Sequence, residues 1–285
     1  MQNRLNTLPR ACKVIYLSCG KFFAAMGNRM QQEEDRQFVT ALARGLEVLA
    51  AFRPGEGALS NQELARRTGL PKSTVSRLSY TLTRLGYLQQ EGESGQYRLG
   101  LALLALGSAA LAGYDTRAAA APLMREFALA NNVSVSLALR DGSDMVYLET
   151  CRSQARVSVQ LSTGSRVPLA TTAIGRAYFA GLPPQEREAL LPLLAERHGN
   201  DWPALRSRLL QACADYGIHG YTASFGEYEP DVMAVGIHLP ALLPGQPAMA
   251  LNASGPAFAF DEPAMRQRVA PALRSLRQRI APLPA

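Results

Sequence analysis

The sequence predicts an α+β protein of two domains, in which helices come first and an antiparallel sheet follows. Three observations predict this arrangement. Apolar residues between positions 38 and 85 recur at helical spacing, whereas those between 133 and 139 alternate as they do along a strand. Glycines and prolines divide both parts into short segments. A length of 285 residues, 47% of them apolar, is enough to bury a core in each of two domains.

The four cysteines are too irregularly spaced for a disulfide framework, and none belongs to a Cys-x-x-Cys pair with a histidine nearby. We therefore expect a reducing compartment, the cytoplasm, and neither a structural metal nor another cofactor. The cysteines are Cys12, Cys19, Cys151 and Cys213.

Positive charge is concentrated at the start of the chain. The formal net charge of +7 divides into +3 for residues 1–34, +3 for residues 35–100 and +1 for residues 101–285. A basic front end on a near-neutral body is expected when one end of a protein meets nucleic-acid phosphates. A basic surface that only maintains solubility would give the same charge, so other observations must decide.

Residues 1–34 show no pattern of a helix or strand. The apolar run Val14–Leu17 ends at Ser18, so it is shorter than a secretory signal of about 7 to 15 apolar residues and far shorter than a membrane span of about 20. We expect either a disordered extension or a misread gene start, with the true start at Met26 or Met30, and favour the second. No membrane partner is predicted.

Two short helices are predicted next. The first begins near Phe38, because Val39, Leu42, Leu46 and Leu49 recur at the spacing that places them on one face. The second has a complete start signal, with Ser60 as N-cap, Glu63 closing a capping box, and Leu59 and Leu64 at hydrophobic-staple positions. It is predicted to stop at Gly69.

A third helix is predicted from Pro71, a residue favoured at the first helical position. Its buried stripe is predicted to consist of Val75, Leu78, Leu82 and Leu85. The outward face near its N-terminus combines hydroxyl and basic side chains, which are the groups that contact phosphates and base edges. Two short helices joined by a glycine turn, the second with such a face, indicate a helix-turn-helix. The predicted DNA-contacting residues are Lys72, Ser73, Thr74, Ser76, Arg77 and Tyr80.

Two short strands, residues 87–90 and 96–99, are predicted to form a hairpin about a Glu-Gly-Glu-Ser-Gly tip. A capped helix, a polar third helix and such a wing are together far more specific than any one of them. The alternative is a three-helix protein-interaction domain in which Lys72 and Arg77 are merely solvated, but it leaves the hydroxyl-rich face unexplained. We therefore predict that residues 35–100 form a DNA-binding winged helix-turn-helix.

The segments GLPKSTVSRLSYTLTRLGYL (residues 69–88) and YRLG (residues 97–100) resemble the DNA-binding domain of the IclR family of bacterial transcription regulators. The likeness continues to residue 281. It implies a DNA-binding transcriptional regulator with a GAF- or profilin-like C-terminal domain that binds a small-molecule effector. It also implies dimer contacts through the DNA-binding domain and linker, hence a homodimer or dimer of dimers on double-stranded DNA with a pseudo-palindromic operator.

The alanine-rich residues 101–116 are predicted to form a linker helix, and residues 116–131 a second helix. In the sensor domain, residues 117–285, alternation from Val133 to Leu139 predicts a half-buried strand that turns at Asp141-Gly142 into a partner strand at 145–150. Further strands are predicted through Val157, Val159 and Leu161, and at 232–239 and 248–254. Helices are predicted at 184–196, 203–216 and 262–280. This order indicates an antiparallel sheet with helices packed on it.

The resemblance implies an effector site that begins at PLATTAIGRA, residues 168–177, which is similar to the family's P-L-x-A-T-A-x-G-K-A. Thr171, Thr172 and Ala173 would offer hydroxyl and N–H groups at a helix N-terminus, where a carboxylate can bind. The alternative is an ordinary threonine N-cap, which the residues alone would favour.

Four further ligand positions follow from the resemblance alone. An acidic residue of the family falls on Ser224, a frequent cysteine falls on Gly236, and the last pair falls on Asn252 and Ser254. Since neither the acid nor the thiol is present here, we predict a roomier pocket whose small organic acid is larger or aromatic.

No catalytic residue is predicted. The chain has three histidines, His198, His219 and His238, and lacks H-E-x-x-H, G-x-S-x-G, P-loop and G-x-G-x-x-G motifs. Two alternatives stay open: a winged-helix domain fused to a degenerate or weakly active enzyme domain, and a ligand-independent DNA-binding protein. Turnover of a ligand would support the first, and the absence of any thermal shift with small acids the second.

Overall fold

The computed structural model describes residues 37–53, 55–92, 94–153, 161–242 and 245–281. Contacts within the chain divide it into two compact units, the first ending at Gly113 and the second beginning at Tyr114. Among the described residues, every helix is too short or too polar to span a membrane.

The described part of the first unit contains three helices, a hairpin and a fourth helix, as the sequence predicts. Its elements are α1 (Thr40–Ala50), α2 (Asn61–Thr68), α3 (Lys72–Arg84), β1 (Leu88–Gln90), β2 (Tyr97–Leu99) and α4 (Ala102–Ala112). The hairpin is antiparallel and pairs Leu88 with Leu99. A small apolar core joins the helices to the hairpin and contains Val48, Leu59, Leu64, Val75, Leu88 and Tyr97.

The turn between α2 and α3 follows its sequence signals. The Ser60 hydroxyl accepts a hydrogen bond from the Glu63 N–H at 3.2 Å, which confirms the N-cap. Gly69 ends α2 with φ of 72°, a left-handed conformation that glycine adopts without steric cost. Pro71 occupies the N-cap position without a side-chain hydrogen bond and α3 begins at Lys72, so the prediction of Pro71 as its first residue is wrong by one position. The turn therefore fixes where α3 begins.

Most of the apolar face predicted for α1 is exposed, and only Leu49 of that set is half-buried against the core. Val39, Leu42 and Leu46 are each more than half exposed, whereas Gly45 and Val48 are buried. The side of α1 that contains Gly45 and Val48 packs inward, and Gly45 lies beside Leu78 of α3. The larger apolar residues are thereby left on the surface.

The prediction of the buried stripe of α3 is correct for its first three residues and wrong for Leu85, its last. Val75 is fully buried, and Leu78 and Leu82 are half-buried. Leu85 is 61% exposed, because it follows the last residue of the helix and the chain turns away at that point. Ser79 occupies a buried position of α3 that the apolar pattern did not identify.

The second unit is a six-stranded sheet with helices. In chain order its elements are α5 (Asp115–Asn131), β3 (Ser134–Asp141), β4 (Asp144–Cys151), β5 (Arg166–Pro168), α6 (Ala173–Gly181), α7 (Pro184–His198), α8 (Trp202–His219), β6 (Thr222–Phe225), β7 (Val232–Leu239), β8 (Met249–Pro256), α9 (Glu262–Ala264) and α10 (Ala270–Ile280), with a π-helical segment, Met265–Val269, before α10. The strand order is β5-β4-β3-β8-β7-β6, and every pair is antiparallel. The antiparallel sheet is therefore confirmed.

Helices cover both faces of this sheet. The Cys151 thiol, which shares a face with Val135, contacts the Ala121 carbonyl of α5 at 3.7 Å. On the opposite face, the Thr222 hydroxyl donates to the Ala173 carbonyl of α6 at 2.7 Å. The central strand β3 is consequently buried on both faces, and the prediction of a half-buried strand is wrong. Alternation in its sequence marks an apolar and a polar face, both of them covered.

Other differences concern short or undescribed segments. Val157 and Val159 of the predicted third strand lie outside the described residues, and Leu161 belongs to no strand. The edge strands β5 and β6 were not predicted, because runs of three and four residues are too short to show a periodicity.

Candidate nucleic-acid interface and ligand pocket

The N-terminal half of α3 presents a polar surface to solvent. Five of the six predicted DNA-contacting residues are exposed and Thr74 is half-buried. Tyr80 is 66% exposed although it is aromatic. The five exposed residues are Lys72, Ser73, Ser76, Arg77 and Tyr80. The structure thus places basic groups, hydroxyls and an aromatic ring along one accessible helix face.

Arg44 of α1 extends this surface, and the sequence analysis missed it. A shallow depression between α1 and α3 is lined by Ala41, Arg44, Thr74, Ser76, Arg77, Leu78, Tyr80 and Thr81. Arg44 lies there because it adjoins Gly45, which is on the side of α1 that faces Leu78 of α3. The sequence analysis missed Arg44 because the apolar spacing of α1 predicted a different inward face.

A buried ion-pair network holds α2 in place behind α3. The Arg67 guanidinium is only 12% exposed, and it donates to the Ala51 carbonyl at 2.9 Å and to the Glu63 carboxylate at 2.7 Å. It also binds Glu56. Hydrogen bonds from Arg66 and Arg67 hold the pKa of Glu63 near 2, against a smaller opposing effect of burial. Asn61 completes the support by donating to the Lys72 carbonyl at 3.1 Å.

Backbone hydrogen bonds join the wing hairpin to the segment just before α2. Leu59 and Tyr97 exchange backbone hydrogen bonds of 2.8 Å, which add a third segment to the two strands. Gln89, Gln90 and Arg98 are exposed on the strands. Arg98 contacts Glu91 beside the tip. The accessible donors of the wing therefore lie along its strands rather than at its acidic tip.

The sheet of the second unit has a polar face, and the register shows which residues share it. Directly paired residues of neighbouring strands point to the same face. The register of β3, β6, β7 and β8 accordingly places together Ser134, Ser136, Ser224, Gly236, Asn252 and Ser254. Ser134 and Ser136 were not predicted as site residues. The signal was the alternation of serine with valine and leucine in β3.

Asn252 lies in the middle of this polar face and interacts with Tyr147 of β4. Burial raises the pKa of Tyr147, the nearby Tyr228 adds to this effect, and a hydrogen bond from the Asn252 side chain acts in the opposite direction. The neighbouring Ser136 and Thr150 hydroxyls bond to one another at 3.0 Å. The face is therefore a connected polar layer within an apolar unit.

The loop before α6 borders this face, and Thr172 caps the helix. Its hydroxyl accepts from the Gly175 N–H at 3.2 Å and donates to the Pro168 carbonyl at 2.7 Å. The threonine N-cap expected from the residues alone is therefore present. The Ser224 hydroxyl reaches the Thr171 carbonyl at 3.3 Å, which brings the loop to the sheet.

The buried side chain of Arg176 holds the same loop in place. It is almost fully buried and donates to the Ala170 and Ala223 carbonyls at 3.2 and 3.1 Å, as well as to Glu227 at 2.8 Å. This pairing lowers the pKa of Glu227, and burial acts against it. The Arg176 charge is thus already neutralised within the protein.

Gly236 lies where α6 meets the sheet. A Cβ at this position would stand 2.3 Å from the Ala173 carbonyl oxygen and 2.6 Å from its carbon. The missing thiol therefore leaves no extra space, and the inference of a roomier pocket at this position is wrong. The glycine allows the helix start to approach the strand instead.

Glu229 is a buried carboxyl in the turn between β6 and β7 that the sequence analysis did not identify. It is 7% exposed, and its Oε1 has no hydrogen-bond partner. Burial, assisted by the charge of Asp231, raises the pKa of Glu229 to about 7. Among the described residues, no three His, Cys, Asp or Glu side chains converge as metal ligands would.

Comparison with known proteins gives a consistent result over both units. The family model described as the IclR helix-turn-helix domain matches residues 41–92, and the model for the bacterial transcriptional regulator IclR C-terminal domain matches residues 108–281.

Individual relatives agree with the family models. The HTH-type transcriptional regulator TsaQ1/TsaQ2 of Comamonas testosteroni is 34% identical over 251 residues, 87% of this chain and 90% of its own. A crystal structure of an IclR family transcriptional regulator from Brucella abortus is 41% identical, covers 89% of this chain and 96% of its own, and has a TM-score of 0.71. An IclR homologue from Microbacterium hydrocarbonoxydans, complexed with 4-hydroxybenzoate, is 26% identical, covers 85% of this chain and 97% of its own, and has a TM-score of 0.67.

Proposed function

The chain belongs to the IclR family of bacterial transcriptional regulators and is a DNA-binding transcriptional regulator rather than an enzyme, and we propose that a small organic acid in its sheet pocket controls its affinity for an operator. In this proposal residues 35–100 bind DNA, residues 101–116 link the domains and residues 117–285 sense the effector. The protein would act in the cytoplasm, where its DNA lies.

We assign operator contact to the exposed face of α3. Lys72 and Arg77 supply charge for phosphates or guanine edges, and the hydroxyls of Ser73, Ser76 and Tyr80 supply neutral donors and acceptors. Thr74 completes the predicted set, and Arg44 joins it from α1. The observation that carries this assignment is the concentration of these groups on one solvent-facing surface.

A homodimer, alone or within a dimer of dimers, is supported by apolar residues that the first unit leaves exposed. They are Phe38, Val39, Leu42 and Leu46 beside and on α1, and Leu101, Leu104 and Leu106 beside and on α4. Several large apolar side chains exposed on one helix are typical of interaction sites. A dimer would read a pseudo-palindromic operator with half-sites about 34 to 36 Å apart, or a multiple of this spacing.

The dimer is tested by Leu42→Glu, which should yield a monomer by light scattering at micromolar concentration. Ile218→Glu is the matched control, because Ile218 is an exposed aliphatic residue that lies in the second unit. A Leu42→Glu protein that remains dimeric would remove α1 from the proposed interface.

The effector site we propose is the polar face between the sheet and the start of α6. The loop and helix N-terminus at Thr171, Thr172 and Ala173 offer hydrogen-bond donors to a carboxylate, and Ser224, Asn252 and Ser254 border the same space. Gly236 contributes by letting α6 lie close to the strand. The solved relative that is complexed with 4-hydroxybenzoate supports an acid of this size.

The effector proposal is tested by measuring operator affinity with and without small organic acids, in the natural protein and in Ser254→Ala. An effector that favours one dimer arrangement by about 1 to 3 kcal/mol changes affinity about 5- to 150-fold. Ser254→Ala should reduce this response and leave ligand-free affinity unchanged. Ser275→Ala, an exposed position on α10, should keep the full response. A full response in both Ser254→Ala and Asn252→Ala would place the effector elsewhere.

A further inference from the structure

Strand β6 is one edge of the sensor sheet, and the backbone of two of its residues points outward. Just after the strand, the Gly226 N–H donates to the Val232 carbonyl at 2.9 Å, and bonded positions alternate with non-bonded ones along an antiparallel pair. Ala223 and Phe225 therefore direct their N–H and C=O groups away from β7. Within the described part of the chain, neither of these two N–H groups has an acceptor.

A groove of about 390 Å³ follows this edge and is lined from both faces of the sheet. Arg208 and Gln211 of α8 line it on the face that α6 covers. On the opposite face, the Arg266 guanidinium of the π-helical segment lies 4.9 Å from the centre of the Phe225 ring. None of the residues proposed to bind the effector lines this groove, so it is a separate surface.

The end of the groove beside Phe225 is positively charged. Arg208 forms no ion pair within the described residues, and its charge adds to the hydrogen bond from Arg176 that lowers the pKa of Glu227. Arg266 lies 3.4 Å from a carboxylate oxygen of Glu262, but both side chains are about half exposed, and such a surface pair contributes little. Two arginines are thus available to an external anion.

The other end of the groove is closer to neutral. Asp215 lies two turns of α8 beyond Arg208, about 10 Å along the helix, and accepts a hydrogen bond from Gln211 at 3.0 Å. Arg176 adds no free charge, because it is paired with Glu227 and donates to the outward Ala223 carbonyl at 3.1 Å. Positive charge is therefore concentrated beside Phe225.

We propose that β6 accepts an extended acidic segment of a partner protein as a seventh strand of the sheet. The free N–H groups of Ala223 and Phe225, with the Phe225 carbonyl, bond the backbone of this segment, as in other cases of strand addition. Successive side chains of a strand point to opposite faces, so two adjacent acidic residues reach Arg208 on one face and Arg266 on the other. The surface adds a protein contact to the DNA and effector contacts proposed above.

The shape and charge of the groove favour this occupant over two others. β6 has four residues and spans about 13 Å, so a small anion would meet the arginines and leave most of the backbone groups unpaired. A second copy of β6, with the sequence Thr-Ala-Ser-Phe, carries no acid. Pairing two such edges would bring the arginines of both copies together, which like-charge repulsion opposes.

The test is fluorescence anisotropy of the full chain with labelled, end-capped hexapeptides. The probe is Thr-Val-Asp-Glu-Val-Thr, and its matched control has Asn-Gln in place of Asp-Glu. The acidic peptide should bind about tenfold more tightly than the control, as two charge-assisted contacts would give. This advantage should shrink as the salt concentration rises from about 0.05 to about 0.5 M, because salt screens exposed charges.

Backbone pairing is tested with two N-methylated forms of the acidic peptide, one methylated at alternate odd positions and the other at even positions. Both keep the charges, but only one places its methyl groups against β6. The two forms should therefore differ in affinity by at least about tenfold, since one loses its hydrogen bonds to the edge.

Variants locate the surface on the protein. Arg208→Gln and Arg266→Gln should each weaken binding of the acidic peptide about two- to fivefold and reduce its salt dependence. Arg206→Gln, an exposed position of α8 outside the groove, should bind as the natural protein does. Ala223→Pro removes an outward N–H, a change that edge strands tolerate, and should abolish binding. If Ala223→Pro does not fold, the methylated peptides still decide with the natural protein.

Several results would overturn the proposal. They are equal affinity of the acidic and amide peptides, equal affinity of the two methylated forms, and full binding by a folded Ala223→Pro. Capped Asp-Glu alone is too short to form a strand, so its binding as tightly as the hexapeptide would indicate a small-anion site instead. A change of oligomeric state in Ala223→Pro, measured by light scattering, would assign the edge to a second copy of the chain and likewise contradict a separate partner.

Discussion

Hydroxyl side chains gather at two places in this chain, and water reaches only one of them. On α3, Ser73, Ser76 and Tyr80 are exposed, so solvent satisfies them whenever DNA is absent. On the sensor sheet, Ser134 and Ser254 are buried, and polar atoms there need partners other than bulk water. The α3 surface can therefore be altered with little effect on folding, whereas a change on the sheet face should affect stability.

The largest loss of stability is expected on the sheet face at Gly236, where a side chain has no room. Gly236→Cys should lower the free energy of unfolding by about 3 kcal/mol, because the new atom would collide with the backbone of Ala173. Thermal unfolding followed by circular dichroism measures this loss. Gly217→Ala is the control, since a Cβ at Gly217 meets nothing within 4 Å, and it should be neutral or slightly stabilising. Equal stability of the two variants would mean that α6 does not pack on β7.

A substitution at Glu229 should raise, rather than lower, the free energy of unfolding. Its pKa is raised from 4.5 to about 7, so the folded state favours the protonated form. Ionising this buried carboxyl destabilises the folded state. The destabilisation is absent below pH 4.5 and grows to about 3 kcal/mol as the pH rises to about 7. Glu229→Gln should therefore stabilise the protein at pH 8 and make no difference at pH 4. Denaturant unfolding at the two pH values measures this, and a variant less stable at pH 8 would show that Glu229 is ionised and paired.

A substitution at Arg176 tests what holds the loop before α6 in place rather than the polar face of the sheet. Arg176→Met should cost about 2 kcal/mol, less than for a fully buried pair, because Glu227 is 35% exposed and water screens it. Because the pair lowers the pKa of Glu227, this contribution is present above about pH 4.5 and is lost as the pH falls below it. The difference in stability between the natural and variant proteins should thus narrow in acid, and the part that remains there reports the hydrogen bonds of Arg176 to the Ala170 and Ala223 carbonyls. A difference in stability that is constant with pH would assign the loss to packing alone.

The smallest effect on folding is expected on α3. Lys72→Ala and Arg77→Ala should leave the unfolding temperature unchanged and weaken operator binding, because both side chains are exposed. For a phosphate contact, the slope of log affinity against log salt should fall by about 0.9 for each lost charge, whereas a base contact should cost about 1 to 3 kcal/mol at one base pair. Arg140→Ala, in the second unit, is the control. Unaltered binding in both α3 variants would remove this helix from the interface.

The same division explains what could be predicted from sequence. The caps at Ser60 and Gly69 and the exposed face of α3 depend on residues within a few positions of one another, so local patterns identify them. The exposure of Leu42 depends on Gly45 packing against α3, which no single-helix pattern contains.

The pocket depends on contacts that are distant in sequence. Ser136 and Asn252 share a face only through strand register, and the contact of Gly236 with Ala173 only through the placement of α6. The resemblance to a family supplied Ala173, Gly236 and Asn252 but not Ser136, and the physical role of Gly236 differs from the expectation. Glu229 carries no local pattern at all, because its significance lies in burial.

The adjacency of β3 and β8 has a consequence for how the chain is made. Ser134 pairs with Ser254, so the two central strands of the sensor sheet come from opposite ends of that unit. On the ribosome, the sheet cannot close until nearly the whole chain has emerged, whereas every contact of the first three helices and the wing is already available. A nascent chain would therefore acquire its DNA-reading surface well before it acquires the means to regulate it, and the interval between the two is set by the translation of β8.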